Sequence, residues 1–127
     1  MTSDRTFSTI LFMLVMMWSI VLLYLSLIPS PPQIEGPFGW DKLQHAAALG
    51  VMALMVSWAC IAAQKTLIRS VCIGFVYATL FGGVIEVLQE FFTTSRQADP
   101  LDFAADALGA LIAVMVLYHF LLRRGLH

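Results

Sequence analysis

A chain of 127 residues that is 60% hydrophobic and 12% charged cannot cover a water-facing surface, because soluble domains carry about 25% charged residues. The net charge of −1 excludes the basic stripe of a nucleic-acid binder and the acidic block of a disordered tail. With a mean hydropathy of +0.86, the composition predicts an all-α polytopic membrane protein whose solvent is the lipid bilayer.

The expected architecture is one transmembrane domain over 1–127, a bundle of four helices at about 7–28, 41–63, 70–92 and 101–122. The first apolar run, Phe7 to Ile28, has no charge and is long enough at about 1.5 Å per residue to cross a core of about 30 Å. It exceeds the usual apolar length of a secretory signal, and neither Leu27-Ile28-Pro29 nor Ser30-Pro31-Pro32 offers a small-residue cleavage site, so a retained helix is expected. Pro29 to Trp40 reads as a Pro/Gly loop closed by an interfacial aromatic.

The second helix is expected to open at Asp41, an acceptable N-cap, and to end near Ala63. Gln64 to Arg69 reads as a short basic turn. The third helix runs to Phe92 and carries Glu86, Gln89 and Glu90 in its last two turns. A loop from Thr93 to Pro100 contains Arg96 and Asp99, and the fourth helix contains Asp102 and Asp106 before ending at Arg123-Arg124. Cys60 and Cys72 flank the basic turn and read as small buried core residues without a function of their own.

Arg5, Lys65, Arg69, Arg123 and Arg124 fall at one membrane face, against Lys42 and Arg96 at the other. The positive-inside rule then puts both termini in the cytoplasm. The polar residues gather at the opposite, extracytoplasmic end of a bacterial inner-membrane protein. His45, Glu86 and Asp106 each lie one to two turns inside that end, at matching depth by the rise per residue. Ionisable groups are costly against lipid, about 2.5–3.5 kcal/mol at a span centre, so they are expected to face inward and to pair. Glu86 is expected to meet Lys42 or His45. Asp41, Asp99 and Glu90 read as caps and solvated loop charges, and Asp102 also fits an N-cap. Asp41-x-x-x-His45 and Asp102-x-x-x-Asp106 open the second and fourth helices alike, each with Leu-Gly within five residues, as two parallel hairpins would.

Lys42-x-x-His45, Glu86-x-x-Gln89, Arg96 and Asp102-x-x-x-Asp106-x-x-Gly109, in this order, resemble the VanZ-like family of bacterial membrane proteins. The resemblance runs from about Trp40 to the end of the fourth helix, some two thirds of the chain. The family pattern, Lys-x-x-His, Glu-x-x-Gln, Arg and Asp-x-x-x-Asn-x-x-Gly, is matched by Lys42, His45, Glu86, Gln89, Arg96, Asp102 and Gly109. Asp106 departs from it, since asparagine is usual there, and the change adds a carboxylate near Glu86. The resemblance implies a cell-envelope protein whose family namesake is associated with low-level teicoplanin resistance. It implies no established reaction, and resistance itself is not carried over.

Three functions are compatible with this pattern. In the first, Lys42, His45, Glu86, Gln89, Arg96, Asp102 and Asp106 bind or modulate a lipid-linked or cell-wall component, with Arg96 and Lys42 on a phosphate or carboxylate. In the second, the chain is a membrane enzyme acting on a lipid phosphate. His45, Glu86 and Asp106 are then the catalytic candidates, working as acid and base or, with Asp102, holding a divalent cation. The third is a small transporter, which would need a second copy of the chain to complete a pathway. No compact metal motif, nucleophile elbow or phosphate loop is present, so no cofactor or resident metal is assigned. The partners expected are the bilayer, an envelope ligand and a second copy, with no nucleic acid.

Overall fold

The computed structural model describes residues 2–28, 40–94 and 98–125, with the side chains of Thr2–Asp4, Trp40 and Asp41 outside that description. The described chain is four helices and no strand: α1 (Thr2–Leu27), α2 (Trp40–Ala62), α3 (Leu67–Phe92) and α4 (Pro100–Arg123). Each is long and apolar enough to cross a membrane. Large apolar side chains lie exposed along all four, including Met13, Tyr24, Leu80, Val84, Leu108 and Val116. A monomer in water rarely exposes contiguous apolar patches beyond a few hundred Å2, so a multi-pass protein in a lipid bilayer is the arrangement that fits.

Helix limits differ from the sequence expectation mainly at α1 and α3. α1 starts at Thr2 rather than Phe7, because no Gly or Pro interrupts the polar N-terminal turn. α3 starts at Leu67 rather than Ser70, so Ile68 and Arg69 are helical and the basic turn shrinks to 63–66. The reason is the tight stop of α2. Gln64 takes a left-handed φ of 61°, its N–H donates to the Ile61 carbonyl, and the Lys65 N–H donates to the Cys60 carbonyl. This paired capping satisfies the last α2 carbonyls and lets extended Thr66 enter α3 at once. Asp41 is not the N-cap expected, since α2 already begins at Trp40. Pro29–Gly39 lies outside the described residues.

Successive helices run antiparallel, so α2 and α4 run parallel, and α2 packs against all three others. α1 leans on α2 and α3 and makes no packing contact with α4 among the described residues. Three hydrogen bonds fix it: Trp18 Nε1 donates to the Ala48 carbonyl at 3.3 Å, Gln89 Nε2 donates to the Ser26 carbonyl at 3.1 Å, and the Ser19 and Tyr77 hydroxyls bond at 3.2 Å. The core is aliphatic, built from Leu49, Met52, Val56, Val71, Ile85 and Val114 with smaller residues between them. Cys60 is buried as expected, but Cys72 is exposed on the apolar outer surface of α3.

Small residues set the closest approach. A Cβ at Gly109 would overlap the Ala46 carbonyl, and one at Gly50 would lie 3.2 Å from the Gly109 carbonyl oxygen. Ala46 and Gly50 are one turn apart on α2, as Gly109 and Ala113 are on α4. Backbone therefore packs on backbone, as small-residue pairs allow between membrane helices. This contact sits just below the polar end of the bundle.

Candidate functional site

The N-terminal turns of α2 and α4 and the C-terminal turns of α3 meet at the bundle end opposite Lys65 and Arg69. Five carboxylates, one ammonium and one imidazole are described there. They fall into an outer and an inner tier.

The outer tier centres on Lys42. Its Nζ donates to Asp99 Oδ2 at 2.8 Å and to Asp102 Oδ1 at 2.6 Å. Asp99 rather than Asp102 is the N-cap of α4: its Oδ1 accepts from the Leu101 N–H at 2.8 Å, with Pro100 at the first helical position. Proline needs no hydrogen bond there, and its fixed φ suits a helix start. The Lys42 ammonium, and after it the Leu101 N–H, hold the half-buried Asp99 carboxyl below the usual carboxylate range. Asp99 is therefore a cap, as one of its two expected readings had it, and an ion-pair partner as well. The Asp99-Pro100 pair was the available signal.

The inner tier is buried. His45 Nδ1 lies 3.3 Å from Asp106 Oδ1, with Asp106 fully buried. Glu86, 6% exposed, does not pair with Lys42; its Oε2 accepts the Asp99 backbone N–H at 2.8 Å. Glu90, one turn further on and exposed, accepts the Ala98 N–H at 3.0 Å. Together the two glutamates tie the start of α4 to the end of α3. Gly82, one turn before Glu86, makes room for Asp106: a Cβ there would come within 2.5 Å of Asp106 Oδ2.

One potential ligand atom from each of His45, Glu86 and Asp106 lies within 4.8 Å of the others. Glu86 Oε1 and Asp106 Oδ2 are buried and have no hydrogen-bond partner among the described residues. Such orphan oxygens are uncommon, because a buried acceptor without a partner costs about 1–3 kcal/mol.

The remaining predicted residues divide. Lys42 and Asp102 belong to the outer tier. Gln89 is buried but turns away from the cluster, toward α1, where its amide holds the Ser26 carbonyl. Arg96 lies outside the described residues. The echoed positions His45 and Asp106 stand side by side, because α2 and α4 are parallel neighbours.

Comparison with protein-family models, with curated proteins and with solved structures finds no match to this chain.

Proposed function

We propose that this chain is a VanZ-like integral membrane protein of the bacterial cell envelope that binds or modulates a lipid-linked or cell-wall component at the extracytoplasmic end of its bundle. The carrying observation is the pair of tiers: half-buried Lys42 and Asp99 at the rim, and beneath them buried Glu86 and Asp106 with the partly buried His45. Exposed Phe91, Phe92 and Leu101 flank the same end and offer apolar contact to the chains of an amphipathic ligand. The excess of Arg and Lys at the other end supports the sidedness, and the motif order from Lys42 to Gly109 supports the family reading.

In this reading the carboxylates, in surplus over Lys42 and His45, favour the cationic part of a headgroup. Arg96 supplies the guanidinium for its phosphate or carboxylate. The test is mass spectrometry of lipids that copurify with the full chain from bacterial membranes, compared with Lys42→Gln and Arg96→Gln proteins of equal abundance. Enrichment of one lipid-linked species that both variants lose is the expected result. Identical lipid profiles for all three proteins would end the proposal.

The His45–Asp106 contact favours a second reading, a membrane enzyme acting on a lipid phosphate. Asp106 would orient the imidazole, and His45 would exchange a proton with the substrate. Turnover of a short-chain polyprenyl phosphate by wild type and not by His45→Ala protein would favour it; equal rates would dismiss it. The transporter reading finds less support. In the other half of the described bundle the buried polar residues are serines such as Ser57 and Ser70, whose hydroxyls bond their own helix.

A further inference from the structure

The inner tier gathers three different helices around two carboxylate oxygens that lack hydrogen-bond partners among the described residues. Glu86 comes from α3, Asp106 from α4 and His45 from α2, with one potential ligand atom from each inside 4.8 Å. Glu86 and Asp106 are both more than nine-tenths buried, and each has one oxygen satisfied and the other not. Two carboxylates this close repel each other when ionised, and Lys42 does not relieve them, since its ammonium is held by Asp99 and Asp102. Space at the site is kept by Gly82, where a side chain would displace Asp106 Oδ2. A positive charge of small radius, placed among the three, would remove the repulsion and give these under-bonded carboxylates a partner.

We propose that His45, Glu86 and Asp106 form a binding site for one divalent transition-metal cation of the Zn2+ type. The donor set of one imidazole nitrogen and two carboxylate oxygens distinguishes this class from Mg2+ and Ca2+, which take oxygen ligands. Three protein ligands at about 2.0–2.2 Å from Zn2+ leave a fourth position for water or a ligand oxygen. Ligand atoms within 4.8 Å of one another need to draw together by roughly 1 Å to reach those distances. The remaining groups fit supporting roles. The Asp99 N–H orients Glu86 through its Oε2, and Lys42 keeps Asp99 and Asp102 engaged at the rim. The inference does not depend on which envelope component binds, because the site is complete in the chain itself.

The test uses the full chain in detergent, stripped with a chelator and titrated with Zn2+ and, as a spectroscopic probe, Co2+. The expected result is saturable uptake of one ion per chain and a Co2+ visible spectrum of low coordination number. Affinity should fall at least about ten-fold in Glu86→Gln and in His45→Gln proteins, since disturbing even the groups around a metal costs this much. His119→Ala, an exposed histidine at the other end of the bundle, should leave uptake unchanged. Circular dichroism and a monodisperse elution profile establish that each variant is folded. Absence of saturable uptake, or uptake that survives Glu86→Gln and His45→Gln together, would overturn the site. Neither result bears on the copurifying-lipid experiment, so the two proposals fail separately.

Discussion

His45 Nδ1 stands 3.3 Å from Asp106 Oδ1, and this contact joins two helices that are neighbours only because Gly109 lets α2 settle against α4. The pairing of an imidazole with a fully buried carboxylate at this level is thus a consequence of missing side chains one turn below. Without close backbone approach, the two polar groups would stand apart in a medium that solvates neither.

The two glycines at this crossing should therefore differ in sensitivity. A Cβ at Gly109 overlaps the Ala46 backbone, which cannot rotate away, whereas a Cβ at Gly50 meets the Gly109 carbonyl at 3.2 Å and needs a shift of tenths of an ångström. Gly109→Ala is expected to cost about 1–3 kcal/mol, as overpacking does, and Gly50→Ala clearly less. Thermal unfolding in detergent measures both. Equal losses in the two variants would refute the geometry of the crossing.

The rim ion pair gives a pH dependence with a definite sign. Lys42 depresses the Asp99 carboxyl in the folded protein below its unfolded value. The associated stabilisation is fully present above the ordinary aspartate range, about pH 4, and is lost as pH falls through the lower folded value. Melting temperature measured across acid pH should decline in wild type and decline less in Lys42→Gln protein. Parallel profiles for the two would show that the pair carries no linkage.

Gln89 is expected to serve α1 and not the cluster. Its amide reaches the Ser26 carbonyl, one of the last-turn acceptors that α1 cannot satisfy within itself. Gln89→Leu should cost about 1 kcal/mol and raise hydrogen exchange at the C-terminal turn of α1, leaving Zn2+ affinity as in wild type. An unchanged α1 exchange rate, or a lost metal, would reassign the residue.

Thiol chemistry separates the two native cysteines and, with introduced ones, the two membrane faces. N-ethylmaleimide should label exposed Cys72 before buried Cys60 in detergent. In a background lacking both, a cysteine at Ala98 should react with a membrane-impermeant reagent in intact cells, and one at Lys65 only after lysis. The reverse order would place the polar cluster on the cytoplasmic side and remove the basis for an envelope ligand.

Much of the cluster could be anticipated because helix rise is the same in every sequence. His45, Glu86 and Asp106 could be assigned a common depth from their distances to the span ends alone. The ion pairing could not. Lys42 was free by depth to meet Glu86, but the α4 cap places Asp99 and Asp102 nearer, and Glu86 turns to the Asp99 N–H. Gln89 was grouped with Glu86 by its spacing, yet the roughly 60° between them around α3 is enough to turn Gln89 toward α1 and Glu86 toward the start of α4.

From the order of residues alone come four apolar spans, their alternating direction and the collection of acid groups at one end. These are local properties, set by helix hydrogen bonds and by the cost of charge in hydrocarbon. The lateral arrangement of the spans belongs to the tertiary structure: α2 beside α4, Gly82 beneath Asp106 and α1 at the periphery. Those choices rest on the fit of small residues from distant parts of the chain, which no helical period encodes.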